Sequence, residues 1–248
     1  MIVIPMAGLS SRFKKAGFDL PKYMLNAKGR SLFSHSVKSF EEYFSTEKFL
    51  FVALNVHNTA DFIKKECEEL GLINYEIVIL DKPTGGQAET VYLGIKEISC
   101  AEESLTIFNI DTFRPGFSFP TEFNISEIDG YLETFIGSGT NWSNVLPETK
   151  GSQRVKQTAE KQEISEFCCT GLYYFNSSSD FIRIFEKEIS KDINQLQGGE
   201  FYIAPMYNTL IEEGADIRFS VIPRDEVIFC GVPEEYYSFL DSDTKEHQ

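Results

Sequence analysis

The sequence predicts an α/β fold: a mixed, mainly parallel sheet flanked by helices. Two observations carry this expectation. Short β-branched or aromatic apolar runs recur through the first half, and segments of helical spacing separate them at intervals of about 25–30 residues, as in βαβ units. The second half is richer in strand-like runs, which makes the sheet mixed.

Taken in order, Ile2–Met6, Phe49–Leu54, Tyr75–Leu80 and Leu105–Ile110 read as strands covered on both faces. Between them, Phe33, Val37, Phe40 and Phe44 repeat at helical spacing. So do Phe62, Ile63, Cys67 and Leu70, with Asn58 as the expected N-cap and Gly71 ending the helix. Gly130–Ile136 and Cys169–Phe175 are further strands, and 137–157 reads as a polar loop with weak hairpin character. Helices are expected over Ser179–Ile189 and Glu200–Glu213, the latter stopped by Gly214. A strand at Ile217–Ile222 and a short helix at Glu234–Leu240 follow. The chain of 248 residues suits a single domain over 1–240 with a polar tail at 241–248.

Residues 7–30 interrupt this regularity. They form a connection without sustained periodicity where such loops usually run 2–6 residues, and long loops in compact domains are usually functional or disordered. This one follows the carboxyl end of the first strand, where open α/β sheets bind ligands. Residues 1–30 carry six Lys or Arg (Arg12, Lys14, Lys15, Lys22, Lys28, Arg30) against Asp19 alone, yet the whole chain has a net charge of −15. A cationic, small-residue loop on an acidic protein suits a compact polyanion such as a nucleoside triphosphate. The acidic balance argues against nucleic-acid binding. No apolar stretch approaches the roughly 20 residues of a membrane span. Met1–Met6 has no cationic segment before it and reads as a buried strand rather than a signal sequence. The five cysteines are odd in number, scattered and without metal spacing, which fits a reducing, cytoplasmic setting.

Within the loop, Ala7, Gly8, Leu9, Ser10 and Ser11 are followed by Arg12. Small side chains let backbone N–H groups approach phosphates or a base edge, and a guanidinium binds phosphate oxygens bidentately. A turn needing small residues would have the same composition. Pro21 restrains the backbone before Lys22, a point charge suited to a phosphate. Gly85, Gly86 and Gln87 open a helix after the third strand, and Gln87 offers the paired donor and acceptor of a base reader. Asp111, at the carboxyl end of the fourth strand, has the character of a Mg²⁺ ligand or of a turn residue. Glu160 and Lys161 place a second cation for an acceptor phosphate, or form a solvated surface pair. Trp142, the single tryptophan, lies in a polar loop as an acceptor-pocket wall or a packed anchor. No P-loop, GxGxxG, catalytic triad or zinc cluster is present.

These segments, in this order, resemble the sugar-phosphate nucleotidylyltransferase family. The opening through Arg12 looks like its signature loop, and Pro21-Lys22 with Gly29-Arg30-Ser31-Leu32 looks like its Pro-Lys…Gly-Lys-Pro-Leu segment. Thr84–Thr90 resembles its nucleoside-binding stretch, Asp111 its metal-binding Gly-Asp, and Glu160-Lys161 its acceptor motif. Thr170-Gly171-Leu172-Tyr173-Tyr174-Phe175 resembles its Gly-x-Tyr-x-Phe strand. Gly199-Glu200-Phe201 and Gly231-Val232-Pro233-Glu234 match two later landmarks. Two positions depart: Asn109-Ile110 replaces the glycine before Asp111, and Phe229 stands where the family carries a second metal carboxylate. The opening and the neighbourhoods of Trp142-Ser143 and Thr158–Lys161 look most like capsule-associated cytidylyltransferases, including phosphoglutamine cytidylyltransferases.

The resemblance implies a Rossmann-like, GT-A-like nucleotidyltransferase fold with a nucleotide-binding half at 1–112 and an acceptor-binding half at 113–240. It implies transfer of a nucleotidyl group, with CMP from CTP as the expected case, to a sugar 1-phosphate or phosphoglutamine, releasing pyrophosphate for capsule or surface-polysaccharide biosynthesis. Arg12, Lys22 and Asp111 are then the catalytic residues, with Mg²⁺ on Asp111. Ala7, Gly8, Leu9, Ser10, Ser11, Gly85, Gly86 and Gln87 would hold the nucleotide; Glu160, Lys161, Gly171 and Trp142 would hold the acceptor. The expected partners are the triphosphate and the phosphorylated acceptor, with no nucleic acid and no membrane insertion; a homo-oligomer is compatible. A GT-A-like glycosyltransferase and a non-catalytic nucleotide-binding regulator are the alternatives.

Overall fold

The computed structural model describes residues 1–99, 102–190 and 196–242. In chain order the elements are β1 (Ile2–Met6), α1 (Ser11–Lys15), β2 (Asn26–Ala27), β3 (Arg30–Ser31), α2 (Leu32–Lys38), β4 (Phe49–Leu54), α3 (Thr59–Leu70), β5 (Tyr75–Leu80), α4 (Gln87–Glu97) and β6 (Leu105–Phe108). The second half contributes β7 (Thr112–Phe113), β8 (Gly130–Ile136), β9 (Ser143–Pro147), β10 (Val155–Glu160), β11 (Phe167–Phe175), α5 (Ser178–Glu188), α6 (Met206–Glu212), β12 (Ile217–Ile222), β13 (Ile228–Phe229) and α7 (Pro233–Asp241). One nine-stranded sheet takes strands from both halves, in the order β10-β9-β11-β6-β1-β4-β5, with β8 and then β12 joined through β11.

The strands β6, β1, β4 and β5 run parallel, as the βαβ pattern requires. Their side chains alternate between two cores. Val3, Leu50, Val52, Leu105 and Ile107 face the layer containing residues of α4, α5 and α6. Ile2, Ile4, Met6, Phe49, Phe51 and Ala53 face the layer containing residues of α2 and α3. Burial on both faces is why these strands read as unbroken apolar runs. Strand β11 pairs antiparallel with β6 through Leu172–Phe175 and with β9 at Cys168. Its register against β8 shifts between Cys169 and Tyr173, a bulge that re-aims the strand beside the β6 terminus.

Several elements differ from the sequence reading. The fourth strand ends at Phe108, because Asn109–Thr112 closes a turn in which the Thr112 amide donates to the Asn109 carbonyl at 3.2 Å. The segment 137–157 contains β9 and the start of β10, an antiparallel pair. The helix expected from Glu200 begins at Met206, because residues 200–202 are held elsewhere by backbone bonds described below. Asn58 sits at the start of α3 in a left-handed conformation, and its amide donates to Asp61 instead of capping the helix; Gly71 closes that helix as expected. Of the cysteines, Cys67, Cys168, Cys169 and Cys230 are buried and unpaired; Cys100 and most of the tail, 243–248, lie outside the described residues. Among the described residues no helix is long and apolar enough to cross a membrane.

Candidate active site

A cleft of about 360 Å³ opens at the carboxyl ends of β1 and β6. Ala7, Gly8, Leu9 and Ser11 line it from the first loop, Gly86 and Gln87 from the start of α4, and Lys22 and Asp111 from two further segments. Two of its ionic groups meet: the Lys22 ammonium donates to Asp111 Oδ2, with both side chains about one-fifth exposed.

Local structure explains how residues 89 positions apart come together. Ser10 adopts the left-handed conformation (φ 50°) at the entry to α1, and its Oγ accepts the Lys22 amide at 3.1 Å. That bond ties the two ends of the basic loop together. Beneath α1, Phe13 is buried against Phe18 and Tyr236. Tyr23 is buried and shares a 2.9 Å hydrogen bond with Thr59 of α3, which anchors the backbone beside Lys22. Below the loop, Ser31 and Ser34 both donate to the buried Glu66 carboxylate, locking α2 to α3. On the opposite strand, the Cys230 amide donates to the Asp111 carbonyl at 2.7 Å, fixing the turn that presents the carboxylate.

Gly171 lies at the β11 bulge with φ +98°, and a Cβ there would sit 2.4 Å from the Asn109 amide nitrogen. Its carbonyl accepts the Asn109 backbone amide at 3.1 Å. Asn109 thereby enters the cleft lining, where its Oδ1 accepts from Gln87 Nε2 at 2.5 Å. The departure from glycine before Asp111 thus supplies a partner that orients Gln87.

Gly86 makes a different close approach. The Phe201 amide donates to the Gly85 carbonyl and the Ala88 amide to the Phe201 carbonyl, each at 2.9 Å. A Cβ on Gly86 would lie 2.5 Å from both the nitrogen and the oxygen of Phe201. These bonds bring Glu200 and Tyr202 onto the cleft wall, two lining residues the sequence analysis did not single out as site residues. The pairing has no sequence periodicity to announce it; the adjacent glycines are its one local signal.

Outside the described cleft lining lie Arg12, Gly85, Ser10, Glu160, Lys161, Gly171 and Trp142. Arg12 is exposed on α1. Lys161 reaches the cleft wall indirectly: its ammonium donates to the Tyr202 hydroxyl and lies 4.5 Å from that ring's centre. Glu160 is buried, accepts the Ser143 hydroxyl, and has its carboxyl pushed above the usual range by burial. Gly171 acts through backbone geometry rather than as a wall. Trp142 packs 4.7 Å from Phe229 and 5.1 Å from Phe135 in a separate aromatic cluster, with Arg224 laid 4.8 Å above Phe229. The polar composition of its loop hides that partner, which is 87 residues away in sequence.

Phe229 pairs with Thr112 in the β7–β13 ribbon, one residue from Asp111. Its side chain belongs to the Trp142 cluster, so no carboxylate is offered from this position. Among the described residues no group of three or more His, Cys, Asp or Glu could hold a metal. The donor set is therefore the Asp111 carboxylate, beside which the missing Cβ of Gly231 leaves room: that atom would lie 3.0 Å from Asp111 Oδ2. One carboxylate plus substrate phosphates is a common way to hold Mg²⁺, so the site fits a cation that brings its own oxygens.

The fold is that of a nucleotidyltransferase: the inositol-1-phosphate CTP transferase of T. maritima superposes with a TM-score of 0.74 at 15% identity, over 98% of this chain and 97% of that one. HddC from Yersinia pseudotuberculosis, solved with GMP-PN, gives a TM-score of 0.64 at 16% identity over 96% and 97% of the two chains. A nucleoside-diphosphate-sugar pyrophosphorylase from Vibrio cholerae RC9 is 51% identical over 98% of this chain and 100% of its own, with a TM-score of 0.93. The chain belongs to the nucleoside-diphosphate-sugar pyrophosphorylase family, a class of nucleotidyltransferases. No family model and no curated protein matches the sequence.

Proposed function

We propose that this protein transfers a nucleotidyl group, CMP from CTP, to a small phosphorylated acceptor, a sugar 1-phosphate or phosphoglutamine, and releases pyrophosphate. The observation that carries the reading is the apposition of Lys22 and Asp111 in a cleft walled by the small-residue loop and by Gly86-Gln87. The preference for CTP, and capsule or surface-polysaccharide biosynthesis as the setting, rest on the resemblance of the opening loop and the 142–161 region to cytidylyltransferases.

An acceptor phosphate oxygen attacks the α-phosphorus in line; the new P–O bond forms as the bond to the pyrophosphate oxygen breaks. A phosphate monoester is anionic near neutral pH, so no general base or covalent nucleophile is needed. Catalysis rests on alignment and on neutralising charge that grows in the transition state. Lys22 would hold the α-phosphate and the incoming oxygen. Arg12, exposed on α1 next in sequence to the cleft-lining Ser11, would reach the β- and γ-phosphates of the bound triphosphate. Ala7 to Ser11 and Gly85 to Gln87 would take the nucleotide, with the Gln87 amide pre-oriented by Asn109. Lys161 would bind the acceptor phosphate and Glu160 would orient the acceptor. Asp111 would hold Mg²⁺, which supplies Lewis-acid polarisation of the phosphates when bound.

The test is a matrix of CTP, ATP, GTP, UTP and dTTP against sugar 1-phosphates and phosphoglutamine, read by pyrophosphate release. Pyrophosphate with CTP and one acceptor class is the expected result. Nucleoside diphosphate released from a nucleotide-sugar donor supplied in a parallel arm, with no pyrophosphate from any triphosphate, would instead indicate glycosyl transfer, and nucleotide binding without turnover in either arm would indicate a regulator.

A further inference from the structure

The free cleft offers a cation very little. Of the two carboxylates on its wall, Glu200 lies in the field of Lys161 and Asp111 is occupied by the Lys22 ammonium. The ribbon position beside Asp111 is the ring of Phe229, packed on Trp142. Glu235, whose field reaches Asp111, is engaged in capping α7: its Oε2 accepts the amides of Gly231 at 2.8 Å and Val232 at 3.2 Å.

Resting on the nucleotidyl-transfer reading above, we infer that a divalent cation has no site of its own in the free protein and enters only with the triphosphate, by an exchange of partners. Lys22 leaves Asp111 for a phosphate oxygen, and Asp111 turns to the cation that the phosphates carry in. The exchange keeps each charge compensated throughout: ammonium faces carboxylate before binding and phosphate after it, while the carboxylate faces ammonium and then the dication. Leaving either charge unpaired in a partly buried cleft would be costly, so neither exchange proceeds without the other. The backbone of Lys22 is fixed by the Ser10 bond and by the Tyr23–Thr59 anchor, which confines the change to the lysine side chain. The Lys22–Asp111 pair therefore excludes the bare metal and admits the metal–nucleotide complex.

The experiment follows free Mn²⁺ by electron paramagnetic resonance on the full chain, first without nucleotide and then with a non-hydrolysable CTP analogue. The wild type alone should take up Mn²⁺ no more tightly than the millimolar range typical of weak oxygen sites. With the analogue it should bind one metal–nucleotide complex per chain. Lys22→Met should improve nucleotide-free Mn²⁺ affinity by about tenfold or more, since removing an adjacent unit charge is worth at least that much in a partly screened site. Asp111→Asn placed on Lys22→Met should erase the gain. A wild type that binds Mn²⁺ alone as tightly as Lys22→Met overturns the exchange, as does a Lys22→Met protein without any gain. If in either case the wild type still binds the analogue and releases pyrophosphate, only the exchange fails. Absence of any analogue binding would instead remove the nucleotidyl-transfer reading on which the exchange rests.

Discussion

Replacing Gly86 with Ala should disconnect the two walls of the cleft. The glycine has φ +153° and ψ 178°, a region essentially reserved for glycine, where another residue costs about 1–3 kcal/mol. Its new Cβ would also meet the Phe201 backbone at 2.5 Å. Backbone atoms on a paired segment cannot rotate aside, so the relief is separation of 199–202 from 85–88. Two 2.9 Å hydrogen bonds are lost, at about 1 kcal/mol each, and the segment carrying Glu200 and Tyr202 leaves the wall. Because detachment is local, the loss of global stability should be about 2 kcal/mol, or roughly 4–8 °C in Tm for a chain of this size. Misplacing Tyr202, and with it Lys161, should raise the acceptor KM by about tenfold or more. Thermal unfolding, hydrogen exchange at the Ala88 and Phe201 amides, and steady-state kinetics report the three effects. Gly139→Ala is the control: φ there is +101° but its Cβ would meet nothing within 4 Å, so only backbone strain of about 1 kcal/mol applies. A Gly86→Ala protein with unchanged Tm, amide protection and acceptor KM would refute the coupling of the walls.

Lys22→Ala should lower turnover by about 10²–10³, the usual worth of one positioned charge-stabilising group, while circular dichroism stays native and Tm falls modestly, because Asp111 loses its partner in a partly buried cleft. Near-normal pyrophosphate release would remove it from the mechanism. Glu160→Gln should raise stability at pH 8. Burial lifts the folded carboxyl pKa above its unfolded value, so ionised Glu160 costs stability above the folded pKa, and the cost fades as pH falls toward the ordinary carboxylate range. Denaturant midpoints that differ equally at pH 4 and pH 8 would contradict this. Trp142→Ala should cost about 2–3 kcal/mol by opening the cluster with Phe135 and Phe229, with nucleotide affinity unchanged. Full stability with a lost acceptor response would instead place Trp142 on the acceptor.

Much of the architecture was legible locally. The parallel strands Phe49–Leu54 and Tyr75–Leu80 and the helix ending at Gly71 announce themselves because burial on a face imposes a period on neighbouring residues. The loop residues Ala7, Gly8 and Leu9, with Lys22, Gln87 and Asp111, were recognisable because small side chains, a restrained lysine and a strand-end carboxylate each follow a local element. The hairpin of β9 and β10 was harder to see, since its polar face lacks a clean alternation and its partner strand β11 is distant in sequence.

By itself the sequence determined the parallel strands of the first half, the helices between them and which loop carries the positive charge, since these depend on neighbours along the chain. Only the tertiary structure decided that Lys22 rests on Asp111, that Asn109 orients Gln87, that the Phe201 backbone occupies the space Gly86 leaves, and that Phe229 turns away to Trp142. Each joins residues at least 22 positions apart. Such contacts depend on where the sheet carries its strand ends, and no short-range pattern of side chains encodes that.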